Sequence, residues 1–379
     1  MDPITHTTLG ALAAYAIIGR RLGRSPRMGE EPTGSPRGAG ALLFGAAGGA
    51  LPDVDVFWGS LADPALPWEH HRHFTHALAF IPVGGLLAAA PLLLLFRRYR
   101  PQAGLAYLAA TIGCATHGVN DTLTSYGTFL YWPFVNARVS WDLISIIDPL
   151  FTLTLILGIL FGLLFSSARP ARLALSLAIL YLGIAFAQQQ RVLGVQRELA
   201  AERGHTIERG RAMPTMGNII IWRSLYQAEG RLHADAVYAS PFGRVRVQRG
   251  ESVEVLTLDE VTRLVPDERS PQHERVQHVF VGFRDFADGY VAWASLAADG
   301  GGAAGDMRYS LRTEGFAPLW GIAIEPRRGL EPVRWVSLRS PDGETRGEAI
   351  RRLWRDLWSP GEVFTTAHRG KKKPDQERP

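Results

Sequence analysis

The chain has 379 residues, a formal net charge of +5 and a mean hydropathy of +0.00, which leaves room for two or three domains. Its single cysteine, Cys114, excludes an intramolecular disulfide and a thiolate zinc cluster. The modest charge shows no basic stripe interleaved with aromatics, which argues against nucleic-acid binding.

These averages conceal two unlike halves. Residues 1–187 carry a dozen arginines, no lysine and long runs of Ala, Leu, Ile and Gly, while most of the charge lies in 188–379. Arg20 and Arg21 follow the first apolar run instead of preceding it, so the start does not read as a cleaved signal peptide.

In chain order, residues 4–19 form a helix-like apolar run, marginal in length for a full span. An arginine- and proline-rich surface loop follows over 20–38. Residues 39–51 are apolar and rich in small side chains, which predicts close helix packing. They end at Leu51-Pro52-Asp53-Val54-Asp55, and a histidine cluster follows at His70, His71, His73 and His76. Residues 77–96 have the length of a membrane span, with Pro82 and Gly84-Gly85 inside it. Further apolar runs cover 103–118, 149–165 and 173–187. The first half is therefore predicted to be a membrane α-helical bundle of about four to six helices.

Residues 188–209 read as a polar helical stalk, and 210–365 as a soluble, mostly antiparallel β domain. Short β-branched or aromatic runs predict strands at 218–226, 232–239, 244–248, 276–283, 290–295, 307–311, 321–324 and 333–338. Gly300, Gly301 and Gly302 predict a flexible loop, residues 349–358 a short amphipathic helix, and 366–379 a disordered tail.

If every apolar run crosses the bilayer, the arginine segments 20–37, 97–100 and 169–172 share one side. The positive-inside rule makes that side cytoplasmic. Parity then puts His6, Asp53, Asp55, the histidine cluster, His117, Asp121 and the β domain together on the opposite, extracytoplasmic side.

Imidazole and carboxylate are the donors that zinc and other borderline divalent ions take. Asp53 and Asp55 stand two apart in a loop. His73 and His76 are i, i+3, and His117 and Asp121 are i, i+4, so on a helix each pair shares a face. Asp142 and Asp148 flank an apolar run, and Asp148, just before Pro149, reads as a helix N-cap, with support of the metal ligands from behind as its alternative role. Arg72 is a candidate clamp for an anionic phosphate beside a metal. The histidines at 205, 233, 273 and 278 lack ligand spacing and receive no role.

Taken together, Thr5-His6, Leu51-Pro52-Asp53-Val54-Asp55, His71 to His76, His117-x-x-x-Asp121 and Asp142…Asp148-Pro149 resemble the YdjM family over about residues 1–190. The family is described as inner-membrane metal-dependent hydrolases and carries LexA binding in its name. The chain departs from the family pattern at His73, where glycine is more usual. The order of histidines and aspartates is also loosely similar to that of zinc-dependent phospholipase C.

The resemblance implies metal-assisted hydrolysis of a phosphoester or lipid-like ester at the inner membrane. On this expectation one or two divalent ions, zinc being the first choice, are held by His6, Asp53, His71, His76, His117 and Asp121. Asp55 serves as ligand or base, and Asp55 and Asp121 are the candidate catalytic carboxylates. The alternative is a non-enzymatic membrane protein with a structural or sensing metal site and a partner-binding β domain.

Overall fold

The computed structural model describes residues 1–19, 21–22, 38–57, 68, 71–265, 267–296, 301–326, 331–340 and 342–366. His70, most of the first arginine-rich loop and the tail from 367 lie outside them.

The first half is helical. Helix α1 spans Pro3–Ile18, with Asp2 as its N-cap accepting from the Thr5 amide, and α2 spans Ala39–Ala50. A 3-10 turn, Leu51–Val54, carries Asp53, and another, Phe74–His76, carries His76. Helices α3 (Ile81–Leu95), α4 (Ala103–Thr122), α5 (Pro149–Leu164) and α6 (Arg169–Glu202) follow. Among the described residues, three segments are long and apolar enough to cross a membrane: Ala39–Phe57, Leu78–Leu95 and Arg169–Glu202. Pro3–Ile18 and Pro149–Leu164 are shorter apolar helices.

Glycines let α1, α2 and α4 touch backbone to backbone. A Cβ on Gly10 would stand 2.5 Å from the Gly45 carbonyl oxygen, and one on Gly113 would overlap that same oxygen. A Cβ on Gly48 would overlap the Ala110 carbonyl. Small residues at such crossings are how helices approach closely where there is no water to drive them together. The small-residue run at 39–51 thus has the role that its composition predicts, and the crossing fixes the ends of all three helices relative to one another.

Polar residues 188–202 do not form a separate stalk. They continue α6, a single helix of 34 residues. Its outer part packs on the first of two antiparallel sheets. That sheet contains β1 (Arg209–Pro214), β2 (Ile221–Ala228), β3 (Arg231–Tyr238), β4 (Arg246–Gln248) and β5 (Ser252–Glu254). The order is β1-β2-β3-β4, with β5 on β3 and the last strand of the chain on β4. Two helices come next, α7 (Leu258–Thr262) and α8 (Pro271–Phe286). The second sheet runs β6 (Val291–Leu296), β7 (Gly302–Asp306), β8 (Trp320–Ile324) and β9 (Val333–Ser337), in sequence order. Helix α9 (Arg346–Trp358) and β10 (Thr365–Thr366) close the described chain.

Two strand expectations are corrected. Residues 276–283 lie inside α8, not in a strand: Ser270 caps it, Pro271 occupies the first turn, and Val276, Val279, Phe280, Phe283 and Phe286 are buried. That spacing is the 3.6-residue period of an amphipathic helix, and it outweighs the β-propensity of the individual residues. Residues 307–311 form a turn after β7. The strand falls earlier, at Gly302–Asp306, where Gly302 was expected in a loop. Small residues serve there because Gly321 of β8 approaches so closely that a Cβ would overlap the Ala304 carbonyl.

The two halves share buried contacts. One apolar core runs from Leu12, Phe44 and Ala110 through Leu155 and Ala178 to Val192, Ala212, Trp222 and Val237. Trp68 packs among Val276, Phe283 and Phe286 of α8. Arg211 of β1 makes two hydrogen bonds to the Asp142 carboxylate, at 2.6 and 2.9 Å.

Gly113→Ala is expected to lower stability by about 1–3 kcal/mol, as overpacking does. Gly183→Ala, at a position with open space around it, is expected to be near neutral. Thermal unfolding of both variants in the same detergent checks the contrast.

Candidate metal centre

The close crossing sets the stage. His6 lies in the first turns of α1, Gly49 near the end of α2, and His117 and Asp121 on the last turns of α4. The 3-10 turn after α2 brings in Asp53. The His76 turn rests against α4, where a Cβ on Gly118 would overlap the His76 carbonyl.

Four donor atoms converge: a carboxylate oxygen each from Asp53 and Asp121, and a ring nitrogen each from His76 and His117, all within 4.8 Å of one another. His76 Nε2 lies 3.0 Å from His117 Nε2, 3.2 Å from Asp121 Oδ2 and 3.5 Å from Asp53 Oδ1. His117 Nε2 lies 3.4 Å from Asp53 Oδ1 and 3.6 Å from Asp121 Oδ2. A tetrahedral ion with ligands at about 2.0–2.2 Å has edges of about 3.3–3.6 Å. The four atoms therefore frame a space that a divalent cation fits. Asp121 Oδ2 is also buried without a hydrogen-bond donor of its own, an acceptor left facing that space.

The outer contacts orient these donors. His117 Nδ1 donates to the Gly49 carbonyl at 2.6 Å, which fixes the tautomer and leaves Nε2 as a lone-pair donor. His76 Nδ1 faces Asp55 Oδ2 at 3.3 Å and Thr75 Oγ1 at 3.0 Å. Carboxylate, imidazole and ion would then stand in line, the usual outer support of a metal-bound histidine. Burial alone would push His76 down, but the negative carboxylates of Asp121, Asp53 and Asp55 around it raise it to about 10.

The structure divides the expected ligands into two rows. Asp53, His76, His117 and Asp121 form the inner row. Asp55 stands behind it, accepting from His71 Nδ1 at 2.7 Å, the Thr75 hydroxyl at 2.7 Å and the Arg72 amide at 3.1 Å. His71 is thus tied to Asp55, its ring centroid 5.8 Å from that of His76. His6 also stands outside the inner row. It stacks on His117 at 3.7 Å, and its Nε2 lies 3.0 Å from Asp121 Oδ1. His73 packs on Phe129 and Trp132, away from the four atoms. Asp148 caps α5, accepting from the Phe151 amide at 3.0 Å, and Asp142 pairs with Arg211.

Arg72 lies at the edge of the centre. It is buried, its guanidinium is 3.2 Å from Asp121 Oδ1 and 4.5 Å from the Tyr126 ring, and its Nε has no partner. The Met1 amino group also contacts Asp121 Oδ1. Among the four inner residues, Asp53 alone is not fully buried, with its side chain 20% exposed. The way in passes Asp53.

Sequence reasoning overlooked Thr75 and the Gly49 carbonyl. Thr75 could have been suspected from its place beside His76. A backbone carbonyl carries no sequence signal.

The family model described as YdjM inner membrane protein matches residues 1–192, the half of the chain that contains every residue of the centre. No curated protein and no solved structure matches the chain.

Loss of an inner ligand and loss of an outer one are expected to differ. His117→Ala should abolish stoichiometric metal binding, whereas Asp55→Asn should weaken it by about 10–100-fold. Metal analysis with competitive chelator titration separates the two. Because His76 must be neutral to bind an ion, and its raised pKa keeps it protonated at pH 7, binding there should release about one proton. Affinity should accordingly rise with pH towards 10. Calorimetry in two buffers of different ionisation enthalpy reads that proton.

Proposed function

Because the chain belongs to the YdjM family of inner membrane proteins, we propose that it is a membrane-bound, metal-dependent hydrolase of a phosphoester or lipid-like ester. The observation that carries this reading is the four-donor group with the Arg72 guanidinium beside it. Two imidazoles and two carboxylates without a thiolate suit zinc, and one ion serves the group. Carboxylate ligands let the coordination number rise above four, so substrate or water can join from the side of Asp53.

When bound, such an ion supplies a Lewis acid and lowers the pKa of water towards neutrality. The protein supplies the rest. Neither carboxylate expected to act as base is free for that role: Asp55 is held by His71, Thr75 and the Arg72 amide, and Asp121 Oδ1 by Met1, His6 and Arg72. The better acceptor is His71. Asp55 holds its Nδ1 proton and so presents Nε2 as the basic nitrogen, the arrangement in which an aspartate orients a catalytic histidine. Arg72, held by Asp121, Thr124 and Tyr126 and with a spare Nε, is suited to an anionic phosphate oxygen. A centre at the mouth of an apolar helix bundle suits a substrate with a lipid tail. By the arginine distribution, that mouth and the β half face the extracytoplasmic side.

A second reading has its own observation. Four protein donors by themselves complete a tetrahedron, as closed structural zinc sites do. On that reading the ion holds the helices together or is sensed, and the β half binds a partner.

The test uses the full purified chain with bis(p-nitrophenyl) phosphate and phosphatidate vesicles. Chelation should remove turnover and zinc should restore it. His71→Ala should keep the metal and lose about 10²–10⁴-fold in rate, and Arg72→Gln about 10²–10³-fold. Full metal occupancy without turnover of phosphoester or carboxylic-ester probes would establish the structural reading in its place.

A further inference from the structure

We propose that the β half lies on the surface of the bilayer that holds the helices, anchored by an aromatic rim of Met216, Phe242, Ile350, Trp354 and Trp358 on anionic lipid headgroups. The proposal rests on membership of an inner-membrane family and is independent of the hydrolase reading.

The starting point is where exposed apolar side chains occur. Beyond residue 200, these five are the exposed large hydrophobics among the described residues, and Phe242 and Trp358 are 102% and 78% exposed. Five such residues on a charged domain are ordinary if scattered. They are not scattered.

Met216 lies in the turn between β1 and β2, whose Gly217 amide donates to the Ile147 carbonyl at 3.1 Å. That is two residues before Pro149, where apolar α5 begins. Phe242 lies in the loop after β3, and this loop is fastened to α6 just beyond its apolar stretch. Gln188 donates to the Ala239 carbonyl, and Arg191 donates to the Ser240 and Gly243 carbonyls at 2.7 Å each. Helix α9 belongs to the same end. Its Leu353 and Leu357 pack with Ile221, Ala236 and Phe364, and the strand after it, β10, pairs with β4.

The outgoing part of α6 works as a ruler. Gln188 touches Ala239 at the near end of the sheet, Gln196 bonds to Ser224 in its middle, and Arg203 bonds to Tyr226 further out. The helix rises about 22 Å between residues 188 and 203. The far end of the β2–β3 hairpin, at Glu229 and Gly230, is exposed and polar. The apolar rim therefore occupies the end of the domain nearest the spans.

Chemistry agrees with placement. Tryptophan and phenylalanine are side chains that settle at the headgroup level, and a helix with apolar and cationic residues on its exposed side lies in that plane. On α9, Arg351 and Arg355 are exposed beside Ile350, Trp354 and Trp358, and Arg244 is exposed next to Phe242. The acidic Glu344 and Glu348 lie at the start of α9, the latter within a turn of Arg351, and there Glu348 closes a capping box with Thr345 and Glu344 pairs with Arg352.

The test places a fluorophore at three positions of the full chain carrying Cys114→Ala. Phe242→Cys, Trp358→Cys and Glu229→Cys are each labelled with NBD and reconstituted in nanodiscs of phosphatidylglycerol and phosphatidylethanolamine. Lipids spin-labelled near the headgroup should quench positions 242 and 358 at least threefold more than 229. Replacing phosphatidylglycerol by phosphatidylcholine should reduce that difference. Equal quenching at all three positions overturns the proposal. So does cross-linking between two copies at 358 without quenching, which would assign the face to a second copy. All three sites are exposed, so misfolding does not intervene.

Discussion

The backbone contact of α1, α2 and α4 is the constraint from which the rest follows. Three helices meet where Gly10, Gly45, Gly48 and Gly113 leave no room for a side chain. Their ends therefore converge, and the ends carry His6, the Gly49 carbonyl, Asp53, His117 and Asp121. The convergence of these donors is thus a product of glycine packing. The donors would be present in the sequence without it, but they would not meet.

The centre also shows how a set of similar residues acquires unequal roles. Asp53 and Asp55 are separated by one residue, yet one faces the ion's space and the other is enclosed by donors. A 3-10 turn explains this, because about three residues per turn put positions two apart on different sides. His71 and His76 divide in the same way. His76 leans on Gly118 and faces the inner group, and His71 is tied to Asp55.

Much of the helical half was legible. Apolar run lengths give α1 to α5 to within about four residues, though α6 runs on to Glu202, well past the apolar run that ends at 187. The i, i+4 spacing of His117 and Asp121 does put both on one face of α4. Less of the β half was. Val276 to Phe283 reads as a strand by residue type, and only the Ser270-Pro271 start and the spacing of Val276, Val279, Phe280 and Phe283 betray the helix. The roles of Asp55 and His71 depend on contacts of Asp55 with residues 16 to 20 positions further along the chain, a separation that no helical period relates. The joining contacts, Trp68 in the α8 core and Arg211 on Asp142, connect residues 69 or more apart and leave no local trace.

Helix α6 has a consequence for how the chain can be divided. Apolar for its first half and polar for its second, it invites a cut near residue 187. Yet its outer turns supply Val192, Val195 and Leu199 to the same core that holds Ala212, Trp222 and Val237. Removing the helix would strip one wall from the first sheet and expose the side chains it covers. The β half is therefore not a passenger on a tether. The two halves are joined by a continuous helix and a shared core, so a change in the tilt of α6 in the membrane would be felt directly by the first sheet.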